Sequence, residues 1–210
     1  MIQFQPGLWS VLLKTKILIF LLFSFGFPQF QDSLQTQIPL SKKLLWGQNG
    51  LIRKMNLAPE TRKAELKLRH KMLKTHQTMG LVTLGMIGYQ FYLGEQLYEG
   101  KEFDATKHKY LGYSTFATYL TTASLSIGAP PAMRYSKGIS SIKLHRYLSY
   151  IHFAGMLAMP YLGYLSAGNL DYNENDIEYN YSNKALKYHH LVGQITFYSF
   201  SLAFLTTLLP

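Results

Sequence analysis

The sequence predicts an all-α fold: a transmembrane up-and-down four-helix bundle preceded by an N-terminal signal or anchor segment. Three observations predict it. Four apolar stretches, over residues 75–92, 110–127, 144–165 and 188–209, each approach the ~20 residues that cross a bilayer core. Each stretch opens on a histidine with a small residue one helical turn further in: His76-Gln-Thr-Met-Gly80, His108-Lys-Tyr-Leu-Gly112, His145-Arg-Tyr-Leu-Ser149 and His189-His-Leu-Val-Gly193. The connections between the stretches alternate in charge.

Composition sets the bounds. At 210 residues the chain fits one domain. Its mean hydropathy of −0.02 averages very polar segments with very apolar ones. The absence of cysteine excludes disulfides, thiolate zinc sites, iron–sulfur clusters and covalently attached c-type haem. The net charge of +10 is not a nucleic-acid signature, because no recognition motif accompanies it. Ten of the 21 Lys and Arg fall between Lys42 and Lys74, directly before the first apolar stretch, as a topology signal or lipid-facing collar does.

Taken in order, residues 1–30 hold Lys14 and Lys16 followed by the apolar core Ile17 to Phe27, a signal peptide, targeting segment or short anchor. No Ala-x-Ala cleavage site follows. Residues 31–74 form a basic polar segment in which the stretch from Ala58 to Lys74 reads as a charged helix feeding the first crossing. Within it, Trp46 to Arg53 reads as an amphipathic or turn-containing element. Residues 75–210 form the four-helix domain. Its helices are rich in Gly, Ser, Thr and Tyr, which allow close approach and hydrogen bonding inside a bilayer. Pro160 is expected to kink the third helix, and Pro130-Pro131 to end the second.

The loops at 93–107 and 166–187 carry eight acidic residues, from Glu95 to Glu178. The opposite side, residues 41–75 and 129–146, carries 14 Lys and Arg, against five on the acidic side. Positive-inside logic places the basic side in the cytoplasm or an organelle matrix. A cleaved signal would leave the collar on the wrong side. The N-terminal stretch is therefore a signal, a fifth crossing or an organelle-targeting element.

In an up-and-down bundle, helices one and three begin on one face and helices two and four on the other. His76 and His145 then share the basic side, and His108 and His189 share the acidic side. In a square bundle each pair is diagonal and faces across the core, which is how two imidazoles supply both axial positions of a b-type haem. Two haems result, one near each membrane face. Gly80, Gly112, Ser149 and Gly193 make room for the porphyrin, and Lys74, Lys107, Lys109, Arg146 and Lys187 are candidate partners for propionates. Two alternates remain open. His152 lies on the face of His145 but ~10.5 Å deeper, as a replacement ligand or a core hydrogen-bonding group. His190 lies ~100° around the helix from His189, so only one of them points inward. His70 precedes the crossing and reads as a solvated or headgroup-level residue.

At His108-Lys-Tyr-Leu-Gly112, Leu144-His-Arg-Tyr-Leu-Ser149 and His189-His-Leu-Val-Gly193 the chain resembles the cytochrome b561 superfamily of transmembrane haem proteins. His76-Gln-Thr-Met-Gly80 matches the first-helix motif less closely. The resemblance covers about residues 70–210 and includes no DOMON domain. It implies two b haems and an electron carrier or transmembrane oxidoreductase. It also implies a donor such as ascorbate or a quinol, an unnamed acceptor and a possible partner redox subunit. Two other classes compete with this reading. A membrane di-iron hydroxylase needs clustered histidine boxes, which this chain lacks. A haem-free or single-haem anchor or scaffold subunit accounts for the helices and the charge bias without facing histidines.

Overall fold

A computed structural model describes residues 38–100, 105–133, 135, 138, 140–167 and 178–208. The expected N-terminal signal or anchor, residues 1–30, lies outside the described residues. Among the described residues the structure is helical, with no strand. Two short helices, α1 (Leu40–Trp46) and α2 (Leu51–Lys54), precede four long ones: α3 (Arg62–Tyr98), α4 (Ala105–Gly128), α5 (Ser141–Ser166) and α6 (Glu178–Thr206).

Local chemistry sets the helix ends. The Thr61 hydroxyl accepts from the Ala64 N–H at 3.2 Å and caps α3, with Glu65 in the first turn to complement the helix dipole. Ser140 caps α5 in the same way, through the Lys143 N–H. Gly100, at φ +71°, closes the end of α3 in the left-handed region that glycine adopts without strain. Pro160 lies inside α5, which continues for six further residues to Ser166. At the end of α4, Pro130-Pro131 follows directly, as expected.

No break falls at residue 75. The charged segment from Arg62 and the first apolar stretch form one 37-residue helix. The four long helices pack as two hairpins, α3 with α4 and α5 with α6, and α3 also rests on α6. Among the described residues the backbones of α3 and α5 do not approach each other, nor do those of α4 and α6, and only side chains meet across these diagonals. These are the diagonals of a square, so the up-and-down order places opposite helices across a central space.

Length is therefore sufficient for crossing, but apolarity is not: among the described residues no helix is long and apolar enough to cross a membrane. The reason lies in where the polar residues sit. Thr83, Thr115, Thr122, Thr196 and Ser199 are buried inside the bundle, each donating its hydroxyl to a carbonyl one turn earlier. Leu81, Val82, Leu120, Ile151, Leu157, Ile195 and Leu202 are exposed on its outside. The buried hydroxyls lower the mean hydropathy of α3, α4 and α6. An apolar cluster of Ile87, Tyr119, Met156 and Phe200 fills the middle.

The basic collar has a structural role that its charge alone did not disclose. Trp46 donates its indole N–H to Gly128 O at 2.9 Å, and the Lys42 ammonium donates to the carbonyls of Ser126, Ile127 and Ala129. Arg62 reaches Pro131 O and Arg69 reaches Pro130 O. These cations satisfy the carbonyls left open at the C-terminus of α4. Glu65, 2% exposed, anchors the assembly by binding both Arg53 and Arg62. The stretch from Trp46 to Arg53 thus serves as a clasp over the basic end of the bundle.

Candidate functional site: two facing histidine pairs

The first turn of each long apolar stretch carries its histidine toward the central space. His76 on α3 and His145 on α5 face across one diagonal, with ring centroids 6.3 Å apart and planes at 89°. His108 on α4 and His189 on α6 face across the other, at 6.1 Å and 75°. The two sites lie at opposite ends. His145 reaches the Ala203 carbonyl, which is 14 residues from His189 along α6, or ~21 Å at helical rise.

Three of the four histidines are hydrogen-bonded by the other helix of their own hairpin. His76 Nδ1 lies 2.8 Å from Thr122 O, and His145 Nδ1 lies 2.8 Å from Ala203 O. A carbonyl only accepts, so in both rings Nδ1 carries the proton. Nε2 is left as the lone-pair nitrogen, the tautomer that a metal-binding histidine needs. At the other end Gln90 Nε2 donates to His108 O at 2.9 Å and lies 3.2 Å from both ring nitrogens of His108. His189 Nδ1 is buried and makes no hydrogen bond, although the Met159 carbonyl lies beside it.

The expected alternates take other roles. His152 is 6% exposed, and its Nδ1 meets the Tyr119 hydroxyl at 2.8 Å inside the apolar cluster. Its ring packs edge-on against Tyr119 and Phe200. His190 turns to the side of the bundle, where its Nε2 meets Glu95 at 2.8 Å and its ring stacks on Tyr98 at 3.8 Å. His70 is exposed. Among the described residues there is no cluster of three or more His, Asp or Glu side chains placed to hold a metal ion.

The four small residues divide. Gly80 is buried, yet a Cβ placed on it would meet nothing within 4 Å. There is open space beside His76. At Gly112 and Gly193 the neighbouring space is taken by Gln90 and Met159, and Ser149 bonds the Arg146 carbonyl. Of the proposed propionate partners, Lys107 lies over the Tyr89 ring, and Lys74, Lys109 and Lys187 are exposed.

Two further glycines belong to the site. A Cβ on Gly94 would come within 3.2 Å of His108 Cε1, and one on Gly163 within 3.2 Å of His189 Cε1. They occupy equivalent places in two related hairpins. His76, Gly80, Gln90 and Gly94 correspond to His145, Ser149, Met159 and Gly163, each 69 residues later. His108, Gly112, Thr115 and Thr122 correspond to His189, Gly193, Thr196 and Ala203, each 81 residues later. The hairpins are thus a pseudo-repeat, and the two sites are mirror uses of it. No protein-family model matches this chain, and neither a curated protein nor a solved structure does.

Proposed function

We propose that the chain is an integral membrane protein that carries electrons between two b-type haems, one on each diagonal histidine pair. The observation that carries this reading is the spacing of the pairs. An imidazole nitrogen binds a metal at about 2.0 Å and its ring centre lies about 1.1 Å behind, so two rings on one iron stand about 6.2 Å apart. The measured 6.3 and 6.1 Å fall on either side of that value. The Nδ1 anchors of His76 and His145 leave the correct nitrogen for the metal, and the space beside Gly80 suits a flat ligand.

His76 and His145 would hold one haem and His108 and His189 the other. When bound, each supplies a one-electron ferric–ferrous couple. The protein's part would be to hold the two imidazoles of each pair facing one another and to keep the two sites ~21 Å apart along the bundle. The membrane reading rests on the exposed outer residues Leu81, Val82, Leu120, Ile151, Leu157, Ile195 and Leu202, with Thr83, Thr115, Thr122, Thr196 and Ser199 turned inward. It also rests on Tyr89, Tyr92, Tyr98, Tyr110, Tyr113, Tyr161, Tyr164 and Tyr188, all exposed at the acidic end as a headgroup-level belt would be. The basic end is assigned to the cytoplasm or matrix. A donor such as ascorbate or a quinol follows from the resemblance alone.

A reduced-minus-oxidised absorption spectrum of the detergent-solubilised protein tests the proposal. A sharp α-band with a Soret shift supports it. A colourless protein after expression with ample haem contradicts it. The second reading, a haem-free scaffold, is favoured by one feature: edge-on aromatic rings also pack at ~4.5–7 Å without a metal. The same spectrum separates the two.

A further inference from the structure

The end of the bundle that holds His76 and His145 gathers more positive charge than it neutralises. Lys42 and Arg69 direct their donors to carbonyl oxygens, which carry no net charge. Arg53 and Arg62 share Glu65, the one carboxylate bonded to these cations among the described residues. Burial, followed by repulsion from Arg69 and Arg146, lowers the Lys42 ammonium to about 8. Burial also lowers Arg69; Tyr135 opposes this, while Arg62 and Arg146 add to it. These cations and Arg146 repel one another and favour any anion that can approach.

An approach exists beside them. On α3, directly before the first proposed crossing, Leu66, Arg69, His70, Leu73, Lys74 and Gln77 line an open groove of about 520 Å³. Leu66 and Leu73 are two turns apart on one face and form an apolar floor. Arg69, His70 and Lys74 present donors along it. Residues at this height sit where a bilayer places its head groups, on the side with the cationic excess. A small soluble anion would match the charges but leave the leucines uncovered.

We propose that this groove seats the phosphate head group of an anionic phospholipid, with the first acyl carbons lying on Leu66 and Leu73. The inference rests on the membrane reading. The Arg69 donors not engaged by Pro130, together with the Lys74 ammonium, bind the phosphate oxygens. The bound anion offsets the repulsion among Lys42, Arg69 and Arg146, so the lipid also steadies the clasp.

Native mass spectrometry of the protein released from nanodiscs of equal phosphatidylcholine and phosphatidylglycerol tests it. The expected result is one retained phosphatidylglycerol per chain, with phosphatidylcholine much rarer. Lys74→Gln and Arg69→Gln should each weaken retention about fivefold. Arg69→Gln also removes a clasp hydrogen bond, whereas Lys74 is exposed and its variant leaves the clasp intact. Equal retention of both lipids, or wild-type retention in both variants, overturns the proposal. So does displacement of the lipid by millimolar inorganic phosphate, which would make the site one for a free anion. A protein that stays in aqueous solution without detergent overturns the membrane reading instead.

Discussion

Gly94 and Gly163, 69 residues apart, stand in the same relation to two different histidines. An added Cβ would reach 3.2 Å from His108 Cε1 in the first case and 3.2 Å from His189 Cε1 in the second. The imidazoles of one diagonal pair are thus walled by glycines of α3 and α5, and their placement depends on a missing side chain in each.

Gly163→Val should therefore push His189 away from His108 and lower haem content from two to one per chain. Gly94→Val should do the same through His108. Pyridine haemochrome titration gives the count. Two haems retained in both variants would show that these glycines serve only helix packing.

Gly80 makes the opposite case. A Cβ there meets nothing, so Gly80→Ala should leave both the fold and the haem content unchanged. Gly80→Leu should fill the space beside His76 and remove the basic-side haem, while the thermal transition of the haem-free protein holds or rises. A Gly80→Leu protein with two haems would place the ligand elsewhere.

Tyr119 and His152 are expected to matter for stability rather than ligation. Tyr119→Phe leaves His152 buried without a partner and should cost about 1–3 kcal/mol in denaturant unfolding. Haem stoichiometry should not change. A loss of one haem in His152→Ala with no loss in His145→Ala would exchange the two assignments.

The clasp has its own test. Glu65 is buried between Arg53 and Arg62, both of which remain partly in water. Glu65→Ala should destabilise by about 1–3 kcal/mol, since charged hydrogen bonds are lost but neither arginine is stranded in the core. It should also loosen residues 38–57, read as faster hydrogen exchange at Trp46 and Lys42. Unchanged exchange would show that the collar holds without its carboxylate.

How far the sequence reaches depends on the range of each contact. The four long helices and the diagonal placement of their histidines follow from periodicity and up-and-down order, because both act along one helix or between successive ones. His189 and His190 could not be separated in that way: the partner of His190, Glu95, is 95 residues distant. Lys42 bonds carbonyls more than 80 residues ahead, so the collar reads as a charge signal until its partners are seen. Gly94 and Gly163 lie 18 residues past His76 and His145 respectively, far beyond the one turn that helical periodicity ties to a histidine. Tyr92-Leu-Gly94 and Tyr161-Leu-Gly163 repeat at the spacing of His76 and His145, and comparing the hairpins would have found them. The membrane reading stays the least legible, since hydropathy averages the buried hydroxyls with the exposed leucines.

The most direct test of two haems on two diagonal pairs is haem stoichiometry in the wild type, His145→Ala, His189→Ala and the double variant. The account predicts two, one, one and none, with low-spin signals from near-perpendicular imidazoles lost one at a time. Equal haem content in all four proteins, or none in the wild type, would contradict it.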